Sequence, residues 1–265
     1  VSDSAPAPVT HVSGPADRLR IVLVGTQHPG NIGSAARAMK TMGLTRLVLV
    51  APEKAPSVES YALAAGADDV LAAATTCATL AEAVADCRLV LGCTARSRRV
   101  ALEELLPRDA AARAVGEAVA GAEVALVFGR ERTGLSNDEL QLCHASVHIP
   151  ANPDYSSLNL AAAVQVLSYE LRLAVLAAAS PAGADGEGPE RREPLASHAE
   201  MESFFAQLGD TLDAIDFHKG RAPESAMRKL RRLYLRAGLD SREVRILRGI
   251  LADAQRMASL ASKKD

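Results

Sequence analysis

The sequence predicts an α/β protein, a parallel sheet with helices on both faces, followed by a small all-helical extension. Three observations carry that prediction. Over residues 19–150 short β-branched runs alternate with segments of helical period, the order that builds right-handed βαβ units. The runs are continuously apolar rather than alternating, which points to strands buried on both faces. A Gly-, Pro- and charge-rich break at 180–194 then gives way to helical patterning.

Residues 1–17 are rich in Pro, Ser and Ala and read as a disordered tail. The sheet domain spans 18–179. "RIVLVG" (20–25) predicts its first strand, and "RLVLVAP" (46–52), "RLVLGCTA" (88–95), "VALVFG" (124–129) and "VHIP" (147–150) predict the next ones, with "DDVL" (68–71) as a short sixth. "SNDE" (136–139) is a capping box, in which the serine hydroxyl accepts from the third residue and Glu139 reaches back. "SSLNLAAAVQVLSYELRLAV" (156–175) starts on serine caps and reads as the longest helix of this domain. A linker occupies 180–195. In the extension, 196–265, "HAEMESFFAQLGDTLDAI" places Met201, Phe204, Phe205, Leu208, Leu212 and Ile215 on one helical face. The next helix starts at Pro223 and stops at Gly238. The last opens with Asp240 and Glu243 in capping-box spacing.

Composition bounds the function. Hydrophobic residues make up 48% and aromatics 3%, with no Trp, so Ala, Val, Leu and Ile must build the core. A net charge of -2 does not point to nucleic acid, and any basic site has to be local. One such region exists. Between 221 and 256, ten Arg/Lys stand against four acids, an excess of +6. On the second extension helix Met227, Leu230, Leu233 and Tyr234 can face inward while Arg228, Lys229, Arg231, Arg232 and Arg236 face out, a pattern suited to nucleic-acid phosphates. The bland alternative is a solvated helical cap. A helix–turn–helix reading of "YLRAGLDSREV" has little else behind it. The four cysteines form no CxxC pair, and no Cys/His cluster has zinc spacing, so no metal is expected and the thiols read as buried and reduced. That suits a cytoplasmic location. No signal-peptide core is apparent, and the longest apolar run, 158–179, is interrupted by Gln165, Glu170 and Arg172, so no membrane association is expected.

Three stretches carry candidate chemistry. In "VGTQHPGNIGSAARAMKTMGL" a strand runs into a helix, but Gly25, Gly30 and Gly33 match neither a Rossmann fingerprint nor a P-loop. A helix start with Asn31 beside it and Arg37 about two turns in suits an anion. The loop by itself equally allows a tight connection with a solvated arginine. "VFGRERTGLSNDE" sets Arg130, Glu131 and Arg132 at the carboxyl end of a strand, where open α/β sheets bind ligands; a charged loop tip is the alternative. "IPANPDYSSLNLAAAV" fixes an extended loop with Pro150 and Pro153 before a helix; an ordinary capped helix is the alternative.

Together, "NIGSAARA", "VFGRERTGL" and "IPANPDYSSLNLAAAV", in that order, resemble the three motifs of the SpoU (TrmH) branch of the SPOUT superfamily of RNA 2′-O-methyltransferases. The likeness covers roughly residues 19–175. "HPGNIGSAARAMKTMGL", "LAAGADDVL", "GCTAR", "NPDYSSLNLA" and the extension's "LRRLYLRAGLDSREVRILRGIL" are most similar to the TrmJ-type tRNA (cytidine/uridine-2′-O-)-methyltransferases.

The resemblance implies a C-terminal trefoil knot, a homodimer whose two chains complete each active site, and S-adenosyl-L-methionine as methyl donor. Topology rules by themselves exclude threaded chains. Carried over by motif, the cofactor contacts are Thr94, Ala95, Arg96, Gly129, Ile149, Ser156, Ser157 and Leu158. The catalytic set is Arg37, Asn31, Glu131, Ser157 and Asn159. The family's proposal that the arginine takes the proton meets the objection that a guanidinium stays protonated. Arg37 is better suited to clamp the RNA phosphate beside the ribose and to stabilise the developing alkoxide. Asn31 would orient that group, Glu131 would hold Arg37 or take the proton, and Ser157 and Asn159 would bond the ribose or cofactor. The implied reaction is 2′-O-methylation of tRNA at cytidine or uridine, at position 32 of the anticodon loop. The alternatives are 2′-O-methylation of ribosomal RNA and a catalytically silent RNA-binding module. A generic NAD or FAD enzyme is disfavoured by the missing GxGxxG.

Overall fold

The computed structural model describes residues 14–95, 102–179, 194–219 and 222–261. The expected linker thus lies almost wholly outside the described residues, as does the expected tail up to residue 13. The end of that tail is structured instead. Pro15–Arg18 form a 3-10 turn, closed by the Asp17 carboxylate accepting from the Gly14 N–H at 2.9 Å.

Seven strands form one sheet: β1 (Leu19–Val24), β2 (Arg46–Val50), β3 (Thr75–Cys77), β4 (Cys87–Cys93), β5 (Glu103–Leu105), β6 (Glu123–Phe128) and β7 (Ala145–Val147). Their order is β3-β2-β1-β6-β4-β7-β5, and every pairing is parallel. The helices of this domain are α1 (Pro29–Thr41), α2 (Val58–Ala64), α3 (Asp68–Ala72), α4 (Leu80–Val84), α5 (Pro107–Val119), α6 (Asn137–Gln141) and α7 (Leu160–Ala178). Those of the extension are α8 (His198–Ala214), α9 (Pro223–Ala237) and α10 (Ser241–Ala261).

The period of two along each strand sorts the core into two layers. Leu19, Ile21 and Leu23 of β1 pack with Leu47, Leu89, Leu126 and the inner faces of α1, α5 and α7. Val22 and Val24 point the other way, toward Val48, Val90, Val127, α4 and α6. Both faces are covered, so the central strands are buried throughout, and each such aliphatic side chain contributes about 1.5–3 kcal/mol relative to exposure. By length and composition α7 resembles a membrane helix, but it gives Leu160, Val164, Leu167 and Leu171 to the core.

Sequence and structure differ at four places in this domain, the first being the expected strand at 147–150, which is realised earlier as β7 with residues 148–150 in the loop beyond it. "DDVL" is the helix α3, not a strand. Its two aspartates favour a helix's first turn, and the sheet edge is taken by β3 just beyond it. The edge strands β3 and β5 have no counterpart among the expected strands, because "TTC" and "EEL" are short, largely exposed and carry no apolar run. The helix α7 begins at Leu160, with Asn159 as its cap accepting from the Ala161 N–H at 2.9 Å. The expected serine caps lie upstream, in the loop. The capping box at Ser136 and Glu139 is present as expected.

In the extension, Met201, Phe204, Phe205, Leu208 and Leu212 form a small core with Leu235 and Val244, and Phe204 meets Tyr234 edge-on at 4.9 Å. Ile215 does not join it; as the residue ending α8 it is 46% exposed. Leu233 is likewise exposed, and Leu235 fills the inward position on α9. The extension is fastened to the sheet domain by polar contacts. Ala199 N–H donates to the Ala85 carbonyl at 3.0 Å, and Arg88 donates to the Leu195 carbonyl.

Candidate active site

The carboxyl ends of β1, β6, β4 and β7 are neighbours, so the loops leaving them open at one edge of the sheet. This edge is where such sheets bind ligands. The loops after β4, β6 and β7 and the turn into α7 line one cavity of about 500 Å³, within the range of small-molecule sites. Of the expected cofactor contacts, Thr94, Ala95, Gly129, Ile149, Ser156, Ser157 and Leu158 all line it. Arg96 lies outside the described residues. Apolar walls from Phe128, Val147, Ile149 and Leu160 stand beside the hydroxyls of Ser156, Ser157 and Thr133.

The loop after β6 is folded tightly on itself. A Cβ at Gly129 would stand 2.2 Å from the Gly134 carbonyl carbon, so only glycine is accommodated. Gly134 N–H donates to the Arg130 carbonyl at 2.8 Å. The three charges of this loop then take different roles. Arg130 pairs with Glu139 at 3.0 Å, and that same carboxylate closes the capping box of α6 at Ser136. Arg132 is exposed and lines the cavity. The charge run to which it belongs is visible in the sequence, but nothing there distinguishes Arg132 from its neighbours.

Glu131 turns away from solvent toward the start of α1. Its carboxylate accepts from the Gln27 N–H at 3.0 Å, the His28 N–H at 3.2 Å and the Asn31 side-chain amide at 2.9 Å. Asn31 in turn accepts from the Asn159 amide at 3.1 Å, and Asn159 caps α7. One continuous hydrogen-bond chain therefore ties all three motif stretches together. Burial acts to raise the Glu131 pKa, but the bonds from Asn31, Gln27 and His28 outweigh it and hold the carboxyl below its usual range. A carboxylate so held is a weak proton acceptor.

Arg37 is not part of this chain. It is exposed on α1, outside the cavity, and has no hydrogen bond or ion pair to any described residue. The expectation that Glu131 holds Arg37 is corrected accordingly. Six residues separate Arg37 from Asn31, about one and two-thirds helical turns, so the two side chains diverge by roughly 120°. The N–H groups at the start of α1 and the Asn31 amide are nearer donors for Glu131. The side of α1 nearer Arg37 includes Gly33, which packs against α2 so closely that a Cβ would lie 1.9 Å from the Ser60 carbonyl oxygen.

The basic extension helix divides in an unexpected way. Arg228, Lys229, Arg232 and Arg236 are exposed and lack a carboxylate partner among the described residues. Arg231, expected to face out with them, faces in. It pairs with Glu202, donates through Nε to the Gln141 carbonyl at 3.1 Å and lies 4.6 Å over the Phe205 ring. An acid and an aromatic face on one side of α9 draw the single arginine that can reach both. All four cysteines are unpaired, and burial pushes the Cys143 thiol up to about 12. No metal-binding group of His, Cys, Asp or Glu occurs among the described residues.

Comparison with known proteins agrees with this geometry. Residues 18–169 match the SpoU rRNA Methylase family, and residues 199–263 match the C-terminal domain of the tRNA methyltransferase TrmJ. The chain is 48% identical over 258 residues to the tRNA (cytidine/uridine/adenosine-2′-O-)-methyltransferase TrmJ of Pseudomonas aeruginosa (strain UCBPP-PA14), covering 94% of this chain and 98% of that one. It is 52% identical over 238 residues to the tRNA (cytidine/uridine-2′-O-)-methyltransferase TrmJ of Escherichia coli (strain K12), covering 89% and 95%. The crystal structure of TrmJ from Z. mobilis ZM4 superposes with a TM-score of 0.75 at 36% identity, covering 88% of this chain and 97% of that chain.

Proposed function

This chain belongs to the SpoU methylase family and, within it, to the TrmJ group, and from that membership we propose that it methylates a ribose 2′-hydroxyl of tRNA, using S-adenosyl-L-methionine, at cytidine or uridine in position 32 of the anticodon loop. The observation that carries the reading is that the second and third motif stretches line one cavity while the first is tied to both of them by the chain Glu131–Asn31–Asn159. The cavity suits the donor: apolar walls for a purine, hydroxyls for a ribose, tight loops for close backbone approach. The same membership carries the expectation of a knotted path into α7 and of a cytoplasmic location.

When bound, S-adenosyl-L-methionine supplies an electrophilic methyl group. This chain's residues do the rest by position. Ser156, Ser157 and Leu158 hold the donor's place against the β4 and β6 loops. Glu131 and Asn31 fix the start of α1 against the turn into α7, so that the ribose enters a preset geometry. Arg37, standing free of its own cavity, reaches a phosphate beside the target ribose at the cavity of a second copy and stabilises negative charge as it develops on the 2′-oxygen. The exposed apolar side of α7, Tyr169, Leu173 and Leu176, supports such pairing.

The test is methyl transfer from labelled S-adenosyl-L-methionine to an unmodified tRNA transcript, with the labelled nucleotide mapped. Label on the 2′-oxygen of position 32 is expected. Label on ribosomal RNA instead, or cofactor binding without transfer to any RNA, would replace the tRNA assignment with one of the alternatives. Transcripts carrying C, U or A at the target also decide which of the base ranges named for the two relatives applies.

A further inference from the structure

The loop between β7 and α7 carries the most exposed aromatic ring among the described residues. Tyr155 is 82% exposed, whereas Tyr61, Phe217 and Tyr169 are about half covered at 44%, 48% and 49%. Its hydroxyl has no hydrogen bond to any described residue. We infer that the Tyr155 ring is the platform on which the base of the methylated nucleotide stacks. The inference rests on the proposed function and adds how the base is held.

Placement favours this role. Ser156 and Ser157, the next two residues, line the active-site cavity, as does Ile149 at the start of the loop, but Tyr155 does not. Its Cα lies within about 7 Å of the Ser157 Cα, outside the space for the donor and beside the place where a ribose enters. The base hangs from the carbon next to the one bearing the 2′-hydroxyl, so it stays close to this ring once that oxygen reaches the methyl group. The loop fixes the ring there. Tyr155 N–H donates to the Asn152 carbonyl at 2.9 Å, Asp154 N–H donates to Asn152 Oδ1 at 3.1 Å, and Pro150 and Pro153 restrict the backbone. The cavity takes the donor and Arg37 a phosphate, which leaves the base to be held. A loop nucleotide drawn out of its stack loses contact with its neighbours, and an open aromatic face replaces that contact. The other aromatic side chain at this edge, Phe128, is a buried wall of the cavity. Cytidine and uridine differ at their edges but share a ring face, so a stack accepts both. A tyrosine that served only the shape of the loop would be indifferent to the base, and that difference is testable.

The experiment measures kcat/KM for methyl transfer by full-length parent, Tyr155→Ala and Tyr155→Phe to two tRNAs. One is the ordinary transcript. In the other, the nucleotide that the parent labels keeps its ribose and 2′-hydroxyl but carries no base. On the ordinary tRNA, Tyr155→Ala is expected to lower kcat/KM by about tenfold to a hundredfold, the range of a lost base–aromatic stack, and Tyr155→Phe to restore most of it. On the abasic tRNA the parent is expected to fall toward Tyr155→Ala, so that the two proteins become equal. The salt slope of tRNA binding should stay the same, because no phosphate contact is lost, and so should S-adenosyl-L-methionine affinity. The inference is overturned if Tyr155→Ala equals the parent on ordinary tRNA, if its loss persists undiminished on the abasic one, or if Tyr155→Phe is as slow as Tyr155→Ala. Cofactor binding that weakens in step with kcat/KM would put the ring on the donor and overturn it equally. Transfer by the parent to no RNA removes the proposed function and the stack with it, whereas transfer that ignores Tyr155 removes the stack alone.

Discussion

At the carboxyl edge of the sheet the side chains of Glu131, Asn31 and Asn159 are held by one another and by backbone N–H groups, whereas on α9 three neighbouring cations have no carboxylate partner among the described residues. Glu131 takes three donors, Asn31 uses both ends of its amide, and Asn159 bonds Asn31 and caps a helix. Arg228, Lys229 and Arg232 stand exposed. The contrast separates two kinds of work. A satisfied network fixes geometry, which a displacement at a methyl group requires. Unpaired cations release counterions when they meet phosphate, which gives affinity without fixed geometry. Arg231 and Arg232, adjacent in sequence, fall on opposite sides of this division.

The largest effect that sharpens the contrast is expected at Arg37, which takes no part in the network. Arg37→Ala should lower kcat by about 10²–10³-fold while calorimetry shows S-adenosyl-L-methionine still binding. Loss of cofactor binding in that variant would mean its role has been misplaced. Next comes Asn31→Ala, which cuts the chain in the middle. A misplacement of this kind costs up to about 10²-fold in kcat, and single-turnover rates should show it with the salt slope of tRNA binding unaltered. An altered slope would merge the two regions that the structure keeps apart.

Arg231→Ala and Arg232→Ala make the third comparison. Removing the inward arginine strands Glu202 and should cost about 1–3 kcal/mol in denaturant titrations, whereas the outward one should leave the midpoint unchanged and weaken only tRNA binding. The smallest effect concerns pH. The Glu131 carboxyl is depressed below its unfolded value of 4.5, so its stabilising contribution is present above that pH and is lost as pH falls through the folded value. The Tm difference between the parent and Glu131→Gln should accordingly be seen at neutral pH and close as pH falls through that lowered folded value. A difference that persists in acid would show that the carboxylate's charge is not what the loop depends on.

Particular elements show where legibility ends. The runs at β1, β2, β4 and β6 stand out in the sequence because both faces of those strands are buried, leaving no polar alternation. The edge strands β3 and β5 obey no such constraint, and "TTC" and "EEL" carry no signal. The motif containing Asn159 implies a bond to ribose or cofactor, yet the nearest partners of that side chain are a helix N–H and another asparagine. Neither its spacing from Asn31 nor the motif to which it belongs expresses that contact.

By itself, the sequence determined what depends on local order: which segments are apolar and how far, where Pro, Gly and capping residues stop a helix, that positive charge is locally in excess between 221 and 256, and which motif residues are present. The tertiary structure decided what depends on approach across the chain. It brought Glu131 to Asn31 over a separation of 100 residues and turned Arg231 inward while Arg232 stayed out. Such contacts are set by how the layers pack and which donor is nearest to which acceptor, and no pattern along one segment contains that distance.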